Sequence, residues 1–326
     1  MRRGWPAAVA AACLWAAAWA GPAAAAAPRV DAATFDYGLQ ARLLAPGVYV
    51  VEGANADFSI ANGCNIINTG FIVTGAGVLV VNSGPSKRYG EQLRALIGRT
   101  TAEPVVQVFN FNLHPDYVFG NQAFADVPRA ATPATRAGIQ REGKAYEDNL
   151  YRLCGDWMRG SELLPPSTDL QPGVQRIGSR EIELRELQGH TTSDTVLIDR
   201  RSGIVFAGGL VFAQRVPTTP HAQLPAWQAS LRDLQGLNAS LLVPSHGPVA
   251  TDADAVAAAL SGTARYLAWL DATFSDAAAR GLEMNEVLRL PVPAGYRAWA
   301  AFDTEYTRNV AHLYPRYEQA ALARRP

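Results

Sequence analysis

The sequence predicts an α/β fold in which two sheets are sandwiched between helices, followed by a helical extension at the C-terminal end. Three observations carry this. Short, β-branched apolar runs bounded by Gly recur from residue 48 to 246. Segments with helical spacing of apolar residues lie between them. From about residue 252 the pattern is helical to the end, broken only by LPVPAG at 290–295.

The chain has 326 residues and opens with a leader-like segment. Arg2 and Arg3 precede an apolar, Ala-rich stretch over residues 5–27, and Ala25–Ala27 offers a small-residue cleavage site. This pattern predicts a secretory signal peptide over 1–27 and a periplasmic or secreted protein with no membrane span once it is removed.

The first strands are predicted in VYVVEG (48–53), GFIVTG (70–75) and VLVVNSG (78–84). Residues 86–98 place Tyr89, Leu93 and Leu96 at helical spacing. PVVQVFNFN (104–112) reads as a buried strand, and 136–157 as a helix. IELREL, DTVLIDR and GIVFAGG supply three more strands, the last two joined by the turn RRSG. Residues 225–236 form an amphipathic helix, and ASLLVPSHGP is a strand ending in a Gly/Pro turn. The domain reading is a main unit over 28–250, with 251–326 packed on it as helices.

Lys and Arg number 29 against 29 Asp and Glu, and loss of Arg2 and Arg3 with the leader leaves 27 basic residues. Such balance points away from nucleic acid and from acidic membrane surfaces. Cys64 and Cys154 remain after the leader, and neither has a Cys neighbour at metal-ligand spacing. In an oxidising compartment they are either a disulfide or two separate buried thiols; sequence leaves both open.

The five histidines lie at 114, 190, 221, 246 and 312. His114 in FNLHPD, His190 in LQGHTTSD and His246 in VPSHGP each follow a strand-like run at a turn, and Asp116 stands beside the first. Binding residues gather in loops at strand ends, and imidazole with carboxylate is the usual zinc donor set. Asp194, four residues after His190, is a candidate to orient that imidazole. Arg215 and His221 are candidates to meet an anionic substrate group. Trp157 and Met158 read as pocket wall or core, and His312 as structural.

These motifs resemble the metallo-β-lactamase superfamily. The match runs from about 45 to 250: GFIVTGAGVLVVNSG as the opening strand pair, then HPD, GHTTSD and VPSHGP at the ligand turns. Within it, NQAFADV, NLYRLCGDWMRG and RVPTTPHAQLPAW are similar to periplasmic quinoprotein relay system zinc metallohydrolases. The resemblance implies an αββα sandwich, metal-dependent hydrolysis with Asp116 as the catalytic carboxylate, and a link to a periplasmic quinoprotein dehydrogenase system.

The resemblance also exposes departures. Asn112 and Tyr117 stand where the family has histidines, Gly209 where it has a bridging Asp, and Asn82 in place of another Asp. His114, Asp116, His190 and His246 keep their places. Each zinc half-site thus loses an imidazole, and both lose the bridging carboxylate. The leading expectation is a fold with a degenerate metal site, weakly active or non-catalytic, holding one zinc at most or none. The alternative is a mononuclear hydrolase of a small ester, amide or thioester. The two half-sites of such enzymes lie only about 3.5–4 Å apart, so His114, Asp116, His190 and His246 could collapse onto one metal. Restoring Asn112→His, Tyr117→His and Gly209→Asp is expected to raise zinc uptake if the pocket keeps its shape. The substrate or ligand stays unidentified at this level.

Overall fold

A computed structural model describes Met1 and residues 35–324. The signal peptide expected at 1–27 lies outside the described residues, Met1 apart.

The first sheet has seven strands in chain order: β1 (Arg42–Ala45), β2 (Val48–Val51), β3 (Thr69–Val73), β4 (Val78–Val81), β5 (Val105–Phe109), β6 (Arg129–Ala131) and β7 (Thr168–Asp169). The first four are antiparallel neighbours, and β4 to β7 pair in parallel. The second sheet holds β8 (Gly173–Ile177), β9 (Arg180–Leu187), β10 (Asp194–Asp199), β11 (Ile204–Phe212) and β12 (Leu241–His246), in the order β12-β11-β10-β9-β8. Helices α1 (Lys87–Thr100), α2 (Pro115–Val118) and α3 (Pro133–Cys154) fall within the first half. In the second half come α4 (Leu224–Gln235), α5 (Ala253–Ala279), α6 (Met284–Val287), α7 (Ala294–Arg297) and α8 (Phe302–Leu322).

Period-2 alternation sorts the strands between layers. Val78 and Val80 face Tyr89, Leu93 and Ile97 of α1, whereas Leu79 and Val81 face the other sheet. In β11, Ile204 and Phe206 join that inter-sheet core, while Val205 and Ala207 turn outward under α4, α5 and α8. Helices thus cover both outer faces, and the expected sandwich is present. The C-terminal helices are continuous with it, since Leu267, Leu270, Val310 and Leu313 share one core with β10 and β11. No helix among the described residues is long and apolar enough to cross a membrane.

Cys64 and Cys154 are joined as a disulfide with their Cα atoms 5.8 Å apart. It ties the loop before β3 to the end of α3, where both border the cavity described below.

Candidate functional site

The site begins where β4 and β5 end. Asn82 adopts a left-handed conformation (φ 59°), and its Oδ1 accepts the Phe111 amide at 3.0 Å. Asn and Asp tolerate that conformation better than other residues with a Cβ. Asn110 and Asn121 lock the following loop by donating to one another's neighbourhoods: Asn110 Nδ2 to Tyr117 O at 2.9 Å and Asn121 Nδ2 to Asn110 Oδ1 at 2.9 Å. His114 then caps α2, whose Pro115 begins the helix with φ suited to a first turn.

Asn112 does not present its amide oxygen outward. That oxygen accepts the His114 backbone N–H at 3.0 Å, and its nitrogen reaches Asp194 Oδ1 at 3.4 Å. Tyr117 is fully buried among Phe109, Phe119 and Met158, and its hydroxyl has no partner among the described residues. Burial pushes its phenol well above the ordinary range, which disfavours phenolate. In this setting Tyr117 fills space and does not serve as a phenolate ligand.

His190 follows β9 and is fully buried. Its Nδ1 faces Asp194 Oδ1 at 3.0 Å, and Asp194 Oδ2 accepts the Thr191 amide at 2.7 Å. A carboxylate only accepts, so Nδ1 carries the proton. The ring lies against Phe212 and Trp227, with centroids at 5.6 and 5.1 Å. It also fills the space beside Gly209: a Cβ built there would stand 2.1 Å from His190 Nδ1 and 2.7 Å from Asn112 Nδ2. His190 Nε2 has no hydrogen-bond partner among the described residues.

His114 stands edge-on to His190, with ring centroids 4.6 Å apart. Its Nε2 is 3.2 Å from His221 Nδ1, and His221 Nε2 is 2.8 Å from Glu142 Oε2. Tyr146 donates to the same Glu142 oxygen at 2.7 Å. Glu142 stands beside the His221 ring at ion-pair distance, and which of His114 and His221 donates across their 3.2 Å contact is set by the tautomer. Desolvation, then the neighbouring imidazoles, hold His114 well below its usual pKa. His221 is therefore part of a carboxylate–imidazole–imidazole chain, not a solvated loop residue.

His246 ends β12. Its Nδ1 donates to Ile66 O at 2.8 Å, and its Nε2 is 3.4 Å from Asp116 Oδ2. The angles do not make that contact a hydrogen bond, and Asp116 Oδ2 has no donor. Desolvation above all pushes the Asp116 carboxyl up to about 6, against the lowering influence of Arg215. His114, Asp116 and His246 line a cavity of ≈ 250 Å³. A larger groove of ≈ 660 Å³ runs between α4, α5 and α8, and none of the histidines lines it.

The cavity's far wall comes from α8, which sequence reasoning missed. Glu305, Arg308 and His312 all line it, so His312 is a cavity residue and not a remote structural one. The available signal was Glu305, a charged residue on the buried stripe of α8 beside Phe302, Tyr306 and Asn309. Arg215 is buried, donates to Ala56 O at 3.1 Å and sits 3.7 Å from Glu305 Oε1. Arg308 bridges Glu305 Oε1 at 2.9 Å and Asp57 Oδ1 at 3.1 Å. Glu142 and Tyr146 were missed as well, being ordinary polar positions of a helix pattern. Trp157 and Met158 line no part of the cavity; Trp157 packs on Phe35 and Tyr37, with centroids at 4.5 and 4.4 Å, and Met158 is core.

The residues present do not fit the metal centre that the resemblance implies. Among the described residues, no group of three or more His, Cys, Asp or Glu side chains is placed to hold an ion. His114 Nε2 is spent on His221, the oxygen of Asn112 on a backbone amide, and the His190 ring closes on Gly209. What the arrangement offers is a small cavity lined by hydrogen-bonded imidazoles, by carboxylates and by arginines.

Comparison with known proteins agrees on the fold. The sequence model of the metallo-beta-lactamase superfamily matches residues 62–246, more than half of the chain. No curated protein sequence matches significantly. Among solved structures, a metallo-beta-lactamase from Pontibacter korlensis superposes with a TM-score of 0.57 at 21% identity, over 70% of this chain and 98% of that one. The metallo-beta-lactamase IND-7 gives 0.57 at 19%, over 70% and 97%. TMB-1 gives 0.54 at 17%, over 72% and 98%. These similarities carry the fold, and with the sequence match they establish that the chain belongs to the metallo-beta-lactamase superfamily.

Proposed function

We propose that this chain is an exported metallo-β-lactamase-fold protein that uses its pocket to bind a small molecule, and that it acts as a non-catalytic or weakly active accessory protein beside periplasmic quinoprotein oxidation. One observation carries the non-catalytic part: the His190 ring lies where a side chain at position 209 would project. A Cβ there would meet the His190 ring, which is held by Asp194.

Export is supported by the leader pattern of residues 1–27 and by the Cys64–Cys154 disulfide, a bond suited to oxidising compartments. The quinoprotein link rests on the resemblance of NQAFADV, NLYRLCGDWMRG and RVPTTPHAQLPAW to the relay-system metallohydrolases.

The test is a metal count by mass spectrometry, for zinc and iron, on protein purified from the periplasm without chelator, followed by an ester, thioester and lactam screen. The expected result is far less than one metal per folded chain and no turnover abolished by His190→Ala. One metal per chain, with hydrolysis lost in His190→Ala, would instead establish a mononuclear hydrolase built on His114, Asp116, His190 and His246.

A further inference from the structure

The larger groove, between α4, α5 and α8, shares no lining residue with the histidine cavity. Its floor is apolar: Leu224 of α4, Ala278 of α5 and Leu313 of α8 line it and are buried. The opening exists because small side chains border it on both long helices, Ala278 and Ala279 on α5, Ala320 and Ala321 on α8. Larger side chains there would fill the gap, as they do elsewhere in a close-packed interior. At ≈ 660 Å³ the groove falls within the roughly 300–1,000 Å³ of ordinary small-molecule sites, whereas the histidine cavity, at ≈ 250 Å³, falls below it.

Three charged residues border the groove: Asp271, Arg316 and Arg324. Asp271 Oδ1 accepts the Tyr317 hydroxyl at 2.6 Å, and Tyr317 also lines the groove. Arg316 Nη1 donates to Ala222 O at 2.9 Å, which sets the guanidinium against the wall just before α4. That bond leaves the Nε–Nη2 edge, the pair of donors that matches a carboxylate. Neither arginine forms an ion pair among the described residues. One carboxylate against two guanidiniums leaves the rim with an excess of positive charge. An apolar floor under a cationic rim complements a molecule with an anionic head and an apolar tail.

We propose that this groove binds an aliphatic carboxylate, its chain laid on Leu224, Ala278, Leu313 and Ala321 and its head group met by Arg316. The site is separate from the pocket invoked above, so neither reading depends on the other.

The experiment is titration calorimetry on the mature chain at pH 7 with decanoate, decyltrimethylammonium and acetate, the first two below their micelle concentrations. Decanoate is expected to bind at one per chain. The cationic amphiphile is expected at least about tenfold weaker, since a hydrogen bond to a charged group contributes about that factor. Acetate is expected to go undetected, because it brings no apolar tail to bury. Arg316→Gln is expected to weaken decanoate about tenfold. Ala279→Leu, at an exposed position on the groove, is expected to weaken both amphiphiles by filling the space. Arg152→Gln, beside the histidine cavity, is expected to leave decanoate binding unchanged. Equal affinity for the two amphiphiles would overturn the proposal, and so would decanoate binding unchanged in both Arg316→Gln and Ala279→Leu. A folded wild-type chain that ignores decanoate, whether monomeric or with a second copy closing the groove, would overturn it too. Decanoate binding weakened by Arg152→Gln and not by Arg316→Gln would place the ligand in the histidine cavity and equally defeat the assignment.

Discussion

The two halves of the site respond differently to the loss of ligands. On one side, around His190 and Gly209, the space is closed: the imidazole leans into the volume that a larger residue at 209 would use, and Asp194, Phe212 and Trp227 hold it. On the other, around Asp116, His246 and Glu305, a cavity persists, with carboxylates and arginines both among its lining residues. Removing one side chain lets a packed neighbour relax into the gap. A wall that also borders another element, here α8, stays open because several residues define it. A binding site can therefore outlast the metal chemistry of its fold.

The sharpest way to break this contrast is Gly209→Asp. The new side chain must displace a wedged imidazole and bury a carboxylate, and overpacking alone costs about 1–3 kcal/mol. With the buried charge added, a loss on the order of 3 kcal/mol or more is expected, read as a lower midpoint in urea without a change in slope. The triple variant Asn112→His, Tyr117→His, Gly209→Asp is expected to lose stability and gain no zinc. The expectation from sequence was conditional on the pocket keeping its shape, and the His190 ring beside position 209 is what that condition turns on.

Next is the disulfide. Cys64 and Cys154 join two walls of the open half, near Ile66 on one side and Arg152 and Leu153 on the other. Replacing both by Ser is expected to cost about 2–4 kcal/mol. Thermal denaturation of the oxidised protein, the reduced protein and the double variant would show it, with the last two alike.

Asp194→Ala should cost about 1–3 kcal/mol, since it strips His190 Nδ1 and the Thr191 amide of their buried acceptor. A midpoint unchanged from wild type would mean that the closed half is looser than its hydrogen bonds suggest.

The open side should show a pH dependence. Burial raises Asp116 to about 6. A carboxyl raised in the folded state contributes stability that is complete below the unfolded value, about 3.9, and is lost as pH rises through about 6. Asp116→Asn should therefore be more stable than wild type at pH 8, by up to about 3 kcal/mol, and equal to it near pH 4.

Much of the fold was legible. The β-branched runs at 48–51, 69–73, 78–81 and 204–212 are strands, and the helix patterns at 87–100 and 224–235 are helices. Strands β1, β6, β7 and β8 were not; Arg42–Ala45 is exposed or half-buried along its length. Arg129–Ala131 and Thr168–Asp169 are two or three residues long, and Gly173–Ile177 is largely exposed, so none shows the alternation of a half-buried strand. The ligand-type residues at strand ends were legible as candidates because turns after buried strands are where such side chains project. The closure of His190 on Gly209 was not, since sequence names the side chain that is missing but not the neighbour that fills its volume. The α8 wall was missed for a related reason. Its Glu305 reaches the cavity only through the packing of a helix almost two hundred residues from His114.

The central claim is that the site's histidines do not converge on a metal. Nitrogen-15 NMR of the histidine rings, recorded while zinc is added to the folded chain, tests it most directly. The account predicts Nδ1–H forms for His190 and His246, and no shift of the ring signals at two equivalents of zinc. Stoichiometric movement of the His114, His190 and His246 ring nitrogens as zinc is added would contradict it.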